Sequence, residues 1–93
     1  MSQIREIKEA TDIVEVIGSR VALQRSGSNW RGLCPFHNEK TPSFFVSEEM
    51  QRFKCFGCGR TGDVYTFLQE YEGMTFYEAL EHLADKAGIK LES

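Results

Sequence analysis

The pattern of apolar and polar residues divides the chain into helical ends and a strand-forming middle. In residues 1–19, apolar side chains recur at helical spacing, most clearly from Ile13 onward. This spacing predicts a helix from about Ile13, and either Thr11 or Asp12 can cap it by accepting hydrogen bonds from its free N–H groups. Gly18 is predicted to end it in the left-handed conformation. We therefore expect residues 1–19 to form a helical N-terminal segment.

Residues 20–60 change to the two-residue alternation that is typical of β-strands. Strands are predicted at 21–25, 30–33, 43–46 and 52–55, with turns at 26–29 and 48–51. Because alternate side chains of a strand face opposite sides, Phe53 and Cys55 should lie on one face of the sheet, and Arg52 and Lys54 on the other. We expect the face with Arg52 and Lys54 to be the one that binds a partner.

Two helices with clear start and stop signals are predicted in residues 61–93. The first follows an apolar repeat that begins at Val64 and should end at Gly73. The second opens with a capping box from Thr75 to Glu78 and carries a long apolar stripe. We interpret that stripe as core packing against the sheet or the other helices.

Length and charge narrow the class of protein. Residues 1–93 are expected to form one domain, whose small core a bound metal ion would supplement. The net charge is −3, but residues 20–60 contain seven basic and three acidic residues, a net charge of +4, and the remainder carries −7. This asymmetry fits nucleic-acid binding, although ordinary solvated surface charge is the alternative. Without a long apolar run or a signal peptide, we expect a cytoplasmic protein with no membrane contact.

All three cysteines and one of the two histidines form a metal-ligand pattern, C-x2-H-x17-C-x2-C. Cys34 and His37 make the first pair, and Cys55 and Cys58 make the second. Two residues between donors let one tight turn present both to one ion, and two such turns complete the four-coordinate shell of structural Zn²⁺. Thiolate and imidazole donors favour zinc over Mg²⁺ or Ca²⁺.

A hairpin that leads into the second ligand pair is typical of a zinc ribbon. The predicted fold is therefore α+β, with a small zinc-ribbon antiparallel β-sheet flanked by N-terminal and C-terminal helices. Other uses of the cysteines fit less well, because three thiols cannot all pair in one chain and four protein donors leave no open position for catalysis. We predict one structural Zn²⁺ ion and no catalytic residue. A redox switch, in which oxidised ligands release zinc, stays open as a minor alternative.

Basic and aromatic residues lie near the metal ligands in the sequence. Bases of single-stranded nucleic acid stack on aromatic rings, while lysine and arginine neutralise the phosphates. The candidate nucleic-acid contacts are the basic residues Arg31, Lys40, Arg52, Lys54 and Arg60, and the aromatic residues Trp30 and Phe45. For both rings, packing in the hydrophobic core is the alternative.

A long mixed motif surrounds the ligands. Residues 34–44 read CPFHNEKTPSF, residues 53–59 read FKCFGCG, and Gly62 and Asp63 follow. This combination closely resembles the zinc-binding domain at the N-terminus of DnaG-type bacterial DNA primases, and the resemblance covers nearly the whole chain. It implies that the cysteine and histidine residues bind one zinc ion, and that nearby cationic residues contact a template strand.

The resemblance also implies a role and partners. In such primases this domain binds single-stranded DNA and helps to choose where an RNA primer begins. A separate TOPRIM-type polymerase domain makes the phosphodiester bonds, and a C-terminal domain contacts the replicative helicase. The expected partners are therefore the template, the polymerase domain of the same or a neighbouring primase, and the helicase through the parent protein.

Two other functions remain open at this stage. A zinc ribbon can serve as a protein-docking module, and a plasmid or phage protein can carry a primase-like domain with a different role. The chain lacks the acidic cluster that phosphoryl transfer needs, since Asp63 and Glu70 belong to a predicted helix without a glycine-rich catalytic loop. The fragment alone is therefore expected not to polymerise nucleotides.

Overall fold

A five-stranded antiparallel sheet and four helices make up the computed structural model, which describes residues 3–36 and 42–92. The helices are α1 (Gln3–Glu9), α2 (Ile13–Gly18), α3 (Val64–Glu72) and α4 (Phe76–Ala87). The strands are β1 (Gln24–Ser26), β2 (Asn29–Gly32), β3 (Phe44–Ser47), β4 (Arg52–Cys55) and β5 (Thr61–Gly62). Their order across the sheet follows the chain. The predicted α+β fold, an antiparallel sheet with helices before and after it in the chain, is confirmed.

Helices α2 and α3 pack against one face of the sheet, which we call the inner face, and α4 packs against α3 and α1. Phe44 and Val46 of β3 and Phe53 and Cys55 of β4 face the helices and are buried. The helical side chains in the same core cluster are Ile7, Ile13, Val16, Ile17, Val64, Tyr65, Phe67, Leu68, Ala79, Leu80, Leu83 and Ala84. Full burial of one large apolar side chain contributes roughly 1.5–3 kcal/mol. The inner face therefore holds the sheet and helices together.

The β3–β4 hairpin follows the predicted alternation closely. Strand β4 covers the predicted residues, with Phe53 and Cys55 buried and Arg52 and Lys54 exposed, so the predicted division into two faces is confirmed. Gln51 completes the turn with a left-handed φ of 54°. Its side-chain oxygen accepts a hydrogen bond from the Ile13 N–H at 2.7 Å, and its amide group donates to the Glu48 carbonyl at 2.7 Å. The hairpin tip is thereby joined to the start of α2.

The predicted helix signals hold with one exception. Asp12, rather than Thr11, caps α2 by accepting from the Val14 N–H at 3.0 Å. The capping box of Thr75 and Glu78 is present, and Gly73 ends α3 in the left-handed conformation. The prediction for Gly18 is wrong, because the chain leaves α2 in a right-handed turn through Ser19. Within the described ranges, no helix is both long and apolar enough to cross a bilayer.

The sheet edges differ from the predicted strands. Strand β1 begins at Gln24 rather than at residue 21, and the short strand β5 is an addition. Next to the start of β1, the Ala22 carbonyl comes so close to Gly32 that an added Cβ would lie 2.5 Å from its oxygen. Glycine at this point of β2 therefore allows the chain before β1 to pass against the sheet.

Candidate metal centre and nucleic-acid interface

Three cysteine sulfur atoms meet at one end of the sheet. Cys34 follows β2, Cys55 ends β4, and Cys58 lies in the turn before β5. The three Sγ atoms lie within 4.8 Å of one another, and those of Cys34 and Cys58 are 3.8 Å apart. A tetrahedron with Zn–S bonds of ~2.3 Å has edges of about 3.8 Å, whereas a disulfide needs about 2.05 Å. Donor type and spacing therefore fit Zn²⁺.

The fourth predicted ligand, His37, lies outside the described residues, as does the predicted DNA contact Lys40. The residue before His37 is described and firmly packed. The Phe36 ring lies 5.9 Å from the rings of both Phe53 and Phe67, centroid to centroid. These contacts anchor the chain that follows Cys34 to the hydrophobic core.

The second ligand pair lies in a tight turn that follows β4 and is hydrogen-bonded to the residue before β3. The Phe56 N–H donates to the Ser43 carbonyl at 2.9 Å, and the Gly59 N–H donates to the Cys55 carbonyl at 2.8 Å. Gly59 has a φ of +81°, a conformation that side chains with a Cβ rarely adopt. This turn, residues 55–58, is called the second knuckle below.

Burial and hydrogen bonding act in opposite directions on the thiols. Burial raises the pKa of Cys34 to about 12, against the effect of a hydrogen bond from the Phe36 N–H. At Cys55, burial also raises the pKa, but hydrogen bonds led by the Cys58 N–H outweigh it and lower the pKa to about 7. N–H groups that point at sulfur stabilise a thiolate, and a divalent cation would relieve repulsion among three of them.

On the other side of the sheet, the outer face carries two rows of side chains that run across the strands. The first row consists of Gln24, Arg31, Phe45, Lys54 and Thr61, and the second of Ser26, Asn29, Ser47 and Arg52. In the first row, Phe45 lies between Arg31 and Lys54 on adjacent strands, and neighbouring strands of a sheet are about 4.8 Å apart. Three of these nine positions are cationic and none is acidic.

The structure brings four of the predicted nucleic-acid contacts together on this outer face: Arg31, Phe45, Arg52 and Lys54. Trp30 lies elsewhere. Its cross-strand partner is the buried Val46, so its half-buried ring faces the core side, where the Arg25 guanidinium lies 5.3 Å from the ring centroid.

Arg60 is also separated from the outer face, because it is directed toward α3. Its guanidinium donates to the Glu70 carboxylate at 2.7 Å and lies 5.1 Å from the Phe36 ring centroid. The hydrogen bond to Glu70 raises the pKa of Arg60. Arg60 therefore forms an ion pair at the inner side of the metal end of the sheet.

Sequence reasoning missed Phe56, which lies within the second knuckle and is 66 % exposed. Its ring centroid is 5.4 Å from that of Phe45, and the two rings are arranged edge to face. The Lys54 ammonium lies 5.1 Å from the Phe56 ring centroid. The alternation of a strand does not predict that Phe56 is exposed beside the outer face. Its position between two metal ligands in a predicted tight turn could have indicated this.

The fold and the sulfur cluster together define a zinc-ribbon domain. This chain belongs to the CHC2 zinc finger family, whose family model matches residues 1–93. This match, together with the primase relatives that follow, confirms the predicted resemblance to the zinc-binding domains of DNA primases.

Curated relatives support this assignment to a family. The DNA primase of Thermotoga maritima is 59% identical over 88 residues, which are 95% of this chain and 16% of that protein. For the DNA primase of Geobacillus stearothermophilus, the identity is 57% over 95% of this chain and 15% of that protein. The chain therefore spans about a sixth of the length of these curated relatives.

A solved structure shares the fold over almost the whole chain. It is the crystal structure of the Aquifex aeolicus primase, with its zinc-binding and RNA polymerase domains. The match has a TM-score of 0.93 and 47% identity, and it covers 99% of this chain and 23% of that one.

Proposed function

We propose that this domain binds the single-stranded template of a DNA primase and helps to select the site where RNA primer synthesis begins in DNA replication. The observation that carries this proposal is the row Arg31, Phe45 and Lys54 across three neighbouring strands. Single strands are bound by cations that neutralise phosphates and by rings that stack on bases. DNA primases among the relatives supply the biological setting.

In this proposal, one Zn²⁺ ion is held by Cys34, His37, Cys55 and Cys58. Bound zinc would supply a structural cross-link, because four protein donors leave no position for a substrate. The described ligands follow β2, end β4 and precede β5. Zinc would thus fix the relative positions of the strands that carry Arg31 and Lys54.

The chemistry of polymerisation is assigned to another part of the parent protein. Asp63 accepts a hydrogen bond from the Thr66 N–H at 3.1 Å as the cap of α3, and Glu70 pairs with Arg60. Among the residues that the structure describes, neither carboxylate belongs to a cluster of acidic side chains such as a catalytic metal ion needs. We infer that residues 1–93 act as one recognition domain of a cytoplasmic DNA primase. Its partners are a TOPRIM-type polymerase domain in the same or a neighbouring molecule and, through the parent, the replicative helicase.

Replacing Arg31, Arg52 and Lys54 together with alanine tests this proposal. Binding of mixed-sequence single-stranded DNA, followed by fluorescence anisotropy, should weaken as salt is added. The slope of log affinity against log salt should become shallower by about 2 in the triple variant, since each phosphate contact contributes about 0.7 for single strands. A duplex of the same sequence should bind more weakly than the single strand.

A second triple variant provides the matched control. Replacing Arg5, Lys86 and Lys90 with alanine removes the same charge from exposed helical and C-terminal positions, and its salt slope should equal that of the wild type. Equal slopes in both triple variants would contradict the proposal. No binding of single-stranded DNA by the zinc-loaded wild type would favour the protein-docking module instead.

A further inference from the structure

We propose that a groove on the outer face holds one unstacked nucleobase of the bound strand, with Phe56 as its stacking platform. This inference rests on the proposed function and names the place on the outer face that would take one base of the bound strand. It assigns a role to the second knuckle that goes beyond holding a metal ion.

The groove has the size of a small-ligand site. Its volume is about 360 Å³, near the lower end of the roughly 300–1,000 Å³ that such sites occupy. The described lining residues are Asn29, Phe45, Ser47, Met50, Arg52, Phe53, Lys54, Phe56 and Thr61. The rings of Phe45 and Phe56 and the thioether of Met50 form its apolar walls, since the Phe53 ring is buried on the inner face. Side-chain amide and hydroxyl groups offer hydrogen bonds to the edges of a base.

Phe56 is exposed and yet held in place. The residue is 66 % exposed and its ring contacts Phe45 edge to face, while its backbone N–H donates a hydrogen bond to the Ser43 carbonyl at 2.9 Å. Cys55 and Cys58 flank it in the knuckle, so a metal ion bound there would restrain it further. A platform that is already ordered loses little conformational entropy when a base stacks on it.

Charge complementarity identifies the occupant as a nucleotide rather than an apolar peptide side chain. Arg52 and Lys54 line the groove, and none of its described lining residues is acidic. The Lys54 ammonium lies 5.1 Å from the Phe56 ring centroid, so one site offers a flat apolar surface and a cation together. A base with its flanking phosphates uses both features.

A strand of abasic nucleotides with a single central base separates stacking from phosphate binding. The zinc-loaded wild type should bind it roughly 5- to 150-fold more tightly than the fully abasic strand, as expected for one base on one ring. Phe56→Ala should abolish this gain and leave binding of the abasic strand and its salt dependence unchanged. Phe56→Trp should keep the gain. Tyr77→Ala is the matched control, because Tyr77 is 59 % exposed and lies on α4.

Two results would overturn the groove site while leaving the proposed function standing: equal affinity of the wild type for both strands, or a gain that survives Phe56→Ala. Failure to bind either strand would contradict the proposed function itself. Zinc content and melting temperature are measured for each variant. If Phe56→Ala loses zinc, Phe56→Leu decides the question, because it keeps the apolar bulk without an aromatic face and should also lose the gain.

Discussion

Removing zinc with a chelator should abolish the cooperative thermal unfolding of this domain. Cys34 and Cys55 are both buried beside Cys58 at the metal end of the sheet, so the stripped site leaves crowded thiols where strands must meet. Zinc binding in finger-type peptides is linked to folding by roughly 10–16 kcal/mol at neutral pH. The total stability of a domain is about 5–15 kcal/mol. Circular dichroism and melting, with zinc content followed by native mass spectrometry, measure the effect.

Two controls accompany this experiment. Added Zn²⁺ should restore the transition, whereas Mg²⁺ should not, because it prefers oxygen ligands. Cys55→Ser should behave like the stripped protein even when zinc is supplied. An unchanged melting temperature after verified loss of zinc would show that the sulfur cluster does not hold the sheet together.

Phe53→Ala should lower the free energy of unfolding by about 3–5 kcal/mol, as expected for loss of a buried aromatic ring. Phe53 is 1 % exposed, and its ring centroid lies 5.6 Å from that of Phe44 and 5.9 Å from those of Phe36 and Phe67. The substitution therefore leaves a cavity between the sheet, α3 and the chain that follows Cys34. Urea unfolding at fixed free zinc measures the change, because a bound ligand shifts apparent stability.

The same substitution at Phe56 provides the control for Phe53. Phe56→Ala removes an identical group from the exposed side of the sheet and should change the free energy of unfolding by no more than about 0.5 kcal/mol. If the two variants lost equal stability, the assignment of these residues to opposite faces would be wrong.

The sequence was sufficient to place a helix or strand where a periodic pattern was bounded by a clear start or stop signal. Strand β4 could be placed because its four residues alternate in polarity after a turn and end at a metal ligand, Cys55. Helices α3 and α4 could be placed because an apolar repeat ends at Gly73 and a capping box starts at Thr75. In these segments the local preference and the tertiary structure agree.

The sequence was insufficient where tertiary contacts decide the outcome. Strand β5 has only two residues and exists because it pairs with β4, so it has no pattern of its own. The face occupied by Trp30 depends on the register with β3, which places it opposite Val46. Glycine is a residue type that often ends a helix, and Gly18 was predicted to do so. The backbone N–H groups of Arg20 and Val21 nevertheless donate hydrogen bonds to the Ile17 carbonyl.

In the candidate interface, too, local pattern predicted some features and tertiary contacts decided the others. Alternation placed Arg52 and Lys54 on one side, but only cross-strand pairing brings Arg31 and Phe45 beside Lys54. The ion pair between Arg60 and Glu70 joins residues ten positions apart and cannot be read from local pattern. Separating Arg60 from the interface therefore required the fold.

If the outer face of the zinc-held sheet binds single-stranded DNA, as we propose, residues on that face should respond when DNA is added. Titrating an isotope-labelled, zinc-loaded sample with a short single strand, and following its amide resonances by NMR, measures this response. The largest shift changes are expected at Arg31, Phe45, Lys54 and Phe56, with resonances of α4 nearly unchanged. Changes concentrated on α4, or an absence of changes at saturating DNA, would contradict the account.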